Sequence, residues 1–268
     1  MNHQLWDSYR GKIKTKKGGW KIGEKVDSHG YDLINELMTG YTYMQVIVLN
    51  ATGKMVSLNL SKWLEAVHIS MSWPDPRIWC NRIGALAGTV NVNAVTASSI
   101  GNMAADSRAY GSLPLLEGVQ LIQSAICALN KGVDINEFVD IELEKHGGKP
   151  YLMGFARPIA KGDERVSIMD IMAKELGFTE GEHLTAAYKI DKILFSKFGE
   201  TINLNGYVSA FMSDQGFNPE EIYRIFTSVT ISGVTACYVD THERLNGAFS
   251  PLHVNDILYS GKGPKSLV

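Results

Sequence analysis

Gly154-Phe155-Ala156-Arg157-Pro158-Ile159-Ala160-Lys161-Gly162-Asp163-Glu164-Arg165 is the stretch whose reading decides the fold. It is a turn rich in small residues, with two arginines and an acid pair, set between segments of helical periodicity. Gly154 lets the backbone bend or come close to a ligand. Pro158 lacks an amide donor and restrains Arg157 before it towards extended geometry. Arg157 and Arg165 carry planar, always charged forks that suit a carboxylate or a phosphate. Taken alone, the stretch reads equally as a surface loop with solvated charges.

Helical signals lie on both sides of it. Towards the N-terminus, Pro114 opens a helix running to about Asn130, with Leu115, Val119, Ile122, Ile126 and Leu129 at core spacing. Asp134 or Asn136 caps the next helix, which ends at His146-Gly147-Gly148-Lys149-Pro150. Towards the C-terminus, Val166 to Leu176 and His183 to Phe198 are amphipathic, with Gly177 and Gly199 as stops. Thr201 to Gly206 opens a short helix ending near Gly216. Asn218-Pro219-Glu220-Glu221 is a strong helix start, with a cap, a proline at the first position and acids on the positive end of the dipole. That last helix is expected to run to about Asn246, followed by an irregular tail.

Further out, Leu60, Trp63, Leu64, Val67 and His68 share one side of a helix beginning at Leu58. It stops at Ser72-Trp73-Pro74-Asp75-Pro76. Arg77 to Gly88 reads as another apolar helix, and Thr89 to Ala105 continues small and apolar. Such small residues imply tightly packed helices or backbone near a ligand. Val46-Ile47-Val48-Leu49 fits a strand or a helix end, and periodicity does not separate them. The cation run from Tyr9 to Gly19 reads as a solvated arm or short hairpin, with phosphate contact as the other option. The second half offers almost no strand, so the fold is expected to be mainly α.

The 268 residues can bury a sizeable core. A hydrophobic content of 45% and a charged content of 20% are those of an ordinary globular protein. The net charge of -2 offers no general attraction for nucleic acid or an anionic membrane. Cys80, Cys127 and Cys237 are widely spaced in apolar sequence, so each is expected to be buried, without disulfide or zinc chemistry. A reducing cytoplasm fits them. No apolar signal core opens the chain, and no membrane span is expected.

The central stretch resembles the loop of the citrate synthase family, where a pattern close to Pro-Gly-Phe-Gly-His-x-Val-x-Lys-x-x-Asp-Pro-Arg recurs. Gly154, Phe155, Ile159, Lys161, Asp163 and Arg165 match it, allowing one deletion. Three more anchors keep the family's order over roughly residues 60–262. Ala85 to Gly118, ending Gly111-Ser112-Leu113-Pro114-Leu115-Leu116-Glu117-Gly118, looks like the segment ending Gly-Pro-Leu-His-Gly-Gly. Asn203-Leu204-Asn205-Gly206-Tyr207-Val208-Ser209 looks like Asn-Val-Asp-x-x-Ser. The helix from Asn218, with Gly233 inside it, and the close from Pro251 to Gly261 look like the family's C-terminus.

The resemblance implies a citrate-synthase-like helical homodimer. It implies a large domain of residues 1–119 and 226–268, and a small domain of residues 120–225 that closes over substrate. Such enzymes, and the related citryl-CoA lyases, join an acyl coenzyme A thioester to a 2-oxo acid or cleave the product. Coenzyme A would enter as a co-substrate, with no bound cofactor and no metal. The step needs a base, a donor for the enolate oxygen, and a donor on the acceptor's carbonyl.

This chain departs from the family at each of those positions. Asn205 takes the aspartate's place, and an amide is no base at neutral pH. Leu116 and Arg157 take the places of two histidines. The lyase branch has an earlier histidine, where Trp79-Cys80-Asn81-Arg82 stands here. A further family arginine falls near Thr230. Arg165 matches an arginine that binds the oxo acid's carboxylate. The candidate catalytic residues are therefore Arg157, Asn205 and His68, and the candidate substrate-binding residues are Arg165, Arg108 and His242.

Each candidate has a plainer reading. Arg165 can pair Asp163 or Glu164, and Asn205 can cap the following helix. His68 can be a core histidine, and His242 can sit favourably at a helix end. Asp106 and Arg108 can enter a pocket or pair on the surface. Two expectations follow: a divergent enzyme with a rewired site, or a non-catalytic structural or regulatory subunit partnering a catalytic paralogue. A nucleic-acid module built on residues 10–17 is the minor third.

Overall fold

The computed structural model describes residues 3–11, 14–107, 111–157, 160–229, 231–245 and 252–263. Helices dominate. In chain order they are α1 (Gln4–Asp7), α2 (Met38–Gly40), α3 (Tyr43–Thr52), α4 (Leu58–Met71), α5 (Trp79–Thr89), α6 (Ala94–Ala104) and α7 (Ser112–Asn130). Then come α8 (Ile135–Lys145), α9 (Glu164–Glu175), α10 (Glu182–Phe198), α11 (Leu204–Asp214), α12 (Pro219–Thr227) and α13 (Ser232–Leu245). The basic N-terminal segment carries a small antiparallel sheet, β1 (Gly18–Lys21), β2 (Lys25–Ser28) and β3 (Tyr31–Asp32), in that order. Trp20 pairs with Val26 across its first ladder. By contacts the chain forms two units, residues 1–73 with 105–231, and residues 74–104 with 232–268. This grouping is separate from the division by movement over a substrate that the resemblance implies.

The first unit is built on α4, α7 and α11. Ser57 caps α4 by accepting from the Leu60 amide, and two prolines follow its end. Between those limits Leu60, Trp63, Leu64, Val67 and His68 are all buried, as the periodicity requires. Trp63 stacks on Phe211 of α11 at 3.9 Å between ring centroids. Burying each large apolar side chain of this kind contributes about 1.5–3 kcal/mol. On α7 the same spacing buries Leu115, Val119, Ile122 and Ile126, and α7 packs on α11 and α12.

One open reading is resolved and others are corrected. Val46 to Leu49 belongs to helix α3, started by a capping box in which Thr42 and Gln45 satisfy each other's amides. The last helix is two: α12 ends at Thr227 and α13 begins at Ser232. Between them Ser228 turns its hydroxyl back to the Arg224 carbonyl, and three β-branched residues from 229 to 231 disfavour continuation. Cys127 is exposed on α7, while Cys80 and Cys237 are buried. At 19 residues and a mean hydropathy of 1.3, α7 is long and apolar enough to cross a membrane. It places its apolar face in the core of the first unit.

In the second unit α5, α6 and α13 pack closely, as the small residues imply. Gly84 and Gly101 lie against Val234, and Gly88 lies against Thr241 and the Tyr238 carbonyl. The Thr241 hydroxyl reaches the Ala85 carbonyl at 2.7 Å, and the Tyr238 hydroxyl reaches that of Val92 at 2.9 Å.

Candidate functional site

The central loop is fastened to the segment that leads into α11. Phe155 is buried and bridges Ile202 as an isolated antiparallel pair. Gly154 sits at φ +92°, which glycine adopts without a Cβ penalty. Ala156 sits at φ +77°, where a side chain is strained. Two bonds hold it there: its amide donates to the Thr201 carbonyl at 2.8 Å, and its carbonyl accepts from Asn203 Nδ2 at 2.6 Å. Arg157 thus follows a residue held at both its amide and its carbonyl.

Asp163 is the hub of the loop, and its side chain is fully buried. It caps α9 by accepting from the Arg165 amide, and it receives Arg165 Nε at 2.8 Å and Nη2 at 2.7 Å. It also accepts from the Leu204 amide of α11 at 2.9 Å. Burial pushes its carboxyl up, but the Arg165 bonds, the Leu204 amide and the charge of Arg157 outweigh that and hold it below the usual carboxylate range. Of the two acids beside it, Arg165 takes Asp163, and that edge of its guanidinium is occupied.

Arg157 uses one nitrogen. Its Nη1 donates to the Gly162 carbonyl at 3.1 Å and to Glu164 Oε2 at 3.0 Å, and lies 3.8 Å from Asp163 Oδ1. Its Nε and Nη2 make no hydrogen bond among the described residues.

Asn205 is not a cap. Asn203 caps α11, accepting from the Gly206 amide at 3.1 Å. Asn205 stands inside α11, where its Oδ1 accepts from the Ser209 hydroxyl at 3.2 Å. Gly118 of α7 leaves room for this pair, since a Cβ there would overlap Asn205 Oδ1. The Asn205 Nδ2 donates to nothing among the described residues. Leu116, where the family has a histidine, stands two positions before Gly118 on α7.

Asp163 therefore gathers Arg165 and Arg157 and ties them to the first residue of α11, while the side chain of Asn205, the next residue, turns to Ser209 and towards Gly118. Two shallow surface grooves, on α7 around Cys127 and on α10 around Tyr188, contain neither arginine nor Asn205. Sequence reasoning missed Thr201, Asn203 and the central part of Asp163. The signal for Asp163 was an aspartate at a helix start with an arginine two positions on.

The remaining candidates lie elsewhere. His68 is buried and stacks on Phe226 at 5.0 Å, with Nδ1 2.7 Å from the Leu64 carbonyl and Nε2 unpartnered. That is the core placement, with no contact to Arg157, Arg165 or Asn205. Burial pushes its imidazole below the usual value, the Leu64 carbonyl opposing. The unfolded chain then takes the proton first, so stability is whole above about pH 6.5 and falls as pH drops towards the folded value. His68→Gln is expected to flatten the slope of urea unfolding stability between about pH 7.5 and 5.5. An unaltered slope counts against this placement.

His242 belongs to the second unit, in the last turn of α13, stacked on Tyr238 with Nδ1 buried and unpartnered. Arg108 and Thr230 lie outside the described residues. Asp106 accepts from the Tyr223 hydroxyl at 2.7 Å. In the second unit, Asn81 is buried and donates to the Asp75 carbonyl at 3.1 Å. Among the described residues no group of three or more His, Cys, Asp or Glu could hold a metal ion.

No protein-family model and no curated protein sequence matches the chain. Solved structures do match. Citryl-CoA lyase from Hydrogenobacter thermophilus superposes with a TM-score of 0.77 at 21% identity, over 95% of this chain and 97% of that one. ATP citrate lyase from Methanothrix soehngenii, in complex with citrate and coenzyme A, gives 0.77 at 18% identity, over 97% of this chain and 44% of the other. Citrate synthase from Thermoplasma acidophilum, with carboxymethyl coenzyme A and oxaloacetate, gives 0.64 at 17%, over 85% and 59%. The chain shares the fold of these citryl-CoA lyase and citrate synthase structures.

Proposed function

We propose that the chain is a divergent citrate-synthase-like enzyme that forms or cleaves a carbon–carbon bond between an acyl coenzyme A thioester and a 2-oxo acid. The observation that carries this is a pair of unfilled donors, Arg157 Nε/Nη2 on the loop and Asn205 Nδ2 on the helix to which that loop is fastened. Arg157 would hold the oxo acid by its carboxylate or polarise its carbonyl. Asn205 would donate to the thioester or enolate oxygen. Arg165, the expected carboxylate binder, would act by fixing Asp163 and the loop. Structures of this fold hold coenzyme A with citrate or oxaloacetate, which supports ligands of that class. A homodimer, with residues 120–225 closing over substrate, belongs to the same proposal.

Arg157→Ala tests it. Calorimetric titration with oxaloacetate and with acetyl-CoA should show oxo acid affinity falling at least about tenfold, as for a lost charge-assisted bond. Equal affinity in both proteins, or none in either, removes the reading.

One observation favours a second reading, a non-catalytic subunit. The two carboxylates of the junction, Asp163 and Glu164, are both paired with guanidinium, and a paired carboxylate is a weak base. Gain of activity on mixing with a catalytic paralogue supports that reading, and turnover by the isolated chain rejects it.

A further inference from the structure

The two acids beside Arg157 differ in one respect. Asp163 is fully buried and gripped by Arg165. Glu164, the acid that bonds Arg157 directly, has a side chain 73% exposed, while that of Arg157 is only 13% exposed. The arginine is fixed from below by the Gly162 carbonyl and by the strained, doubly bonded Ala156 before it. Glu164 opens α9, so its backbone is held while its side chain keeps three rotatable bonds. An ion pair with a solvated partner opens readily, and one with a buried partner does not.

Charge makes the difference matter. With Glu164 in place, the charge of Arg157 is met directly by a carboxylate at 3.0 Å. With Glu164 turned to solvent, Arg157 keeps only Asp163, 3.8 Å away and already bonded by Arg165, which leaves charge for an incoming carboxylate.

We infer that Glu164 is an internal competitor, whose carboxylate on Nη1 competes with a ligand's carboxylate for the charge of Arg157. A 2-oxo acid on Nε and Nη2 meets the full charge of Arg157 only once Glu164 turns away from Nη1, and this residue sets the threshold of affinity. Neutral carbonyl compounds cannot make the exchange, so the device selects for ligands bearing a carboxylate. The inference rests on the reading of Arg157 given above.

Glu164→Gln in the full chain tests it, with Glu164→Ala as a second variant. Glu164 is exposed, so both variants should fold with unchanged circular dichroism. The probes are oxaloacetate, by calorimetry, and phenylglyoxal, which modifies guanidinium groups, with labelling of Arg157 followed by mass spectrometry. Both variants are expected to label Arg157 several-fold faster and to bind oxaloacetate about tenfold more tightly. Labelling that is unchanged or slower in both variants overturns the inference. Faster labelling without oxaloacetate binding in any protein upholds the competitor at Arg157 and removes the proposed enzyme instead.

Discussion

Asp163→Ala is expected to destabilise the first unit by about 3–5 kcal/mol, because it takes a fully buried carboxylate from its two bonds to Arg165 and from beside Arg157. Arg165 and Arg157 are 27% and 13% exposed, so neither can recover its hydration in place. The change also frees the Leu204 amide at the start of α11. Asp163→Asn retains one acceptor and should cost about half as much. Urea unfolding at neutral pH measures both. A loss below about 1 kcal/mol in the alanine variant would mean the hub is solvated and carries little.

The same carboxylate sets an acid limit. Its folded pKa is depressed, so its contribution is complete above the unfolded value, about 3.9. It is lost as pH falls below that value through the folded one. Acid unfolding of Asp163→Asn should therefore lack the part of the slope that wild type shows below about pH 4.

Gly206→Ala is the second large effect. A Cβ on Gly206 would overlap the Gly154 carbonyl oxygen and lie 2.9 Å from its carbon and 3.0 Å from Ile202 Cγ1. Gly154 cannot withdraw, because its carbonyl accepts from the Asn203 amide at 3.0 Å and its own φ is +92°. Overpacking against backbone costs about 1–3 kcal/mol and more where nothing yields, so about 3 kcal/mol is expected. The melting temperature should fall by roughly 6–12 °C. Any oxo acid binding should weaken with it, since the displaced loop carries Arg157. A variant that melts with wild type would show that loop and helix are not in close contact.

Much of the fold was legible from local rules. Prolines at 74 and 76, the Asn218-Pro219 start and the periodic faces of α4 and α7 each name an element with a mechanism. The break at 228–231 was not legible, because Gly233 and the apolar spacing around it continue the helical pattern across a β-branched run. Cys127 misled for a related reason: an apolar neighbourhood in sequence does not say which side of α7 a residue occupies. For the site, the order of anchors led to the loop that carries Arg157 and Arg165 and to the helix start it is fastened to. It could not say which acid each arginine would choose.

The sequence by itself determined the helical architecture and the central loop, and its resemblance set Asn205, Leu116 and Arg157 where an acid and two histidines were expected. These are matters of residue identity, period and order. Only the tertiary structure decided that Asp163 binds Arg165, that Asn203 rather than Asn205 caps α11, and that Glu164 holds Arg157 from the solvent side. The reason is that a side chain's partner depends on what long-range packing leaves buried beside it. Asp163 and Glu164 are adjacent in sequence and alike in charge, and burial alone separates the fixed partner from the movable one.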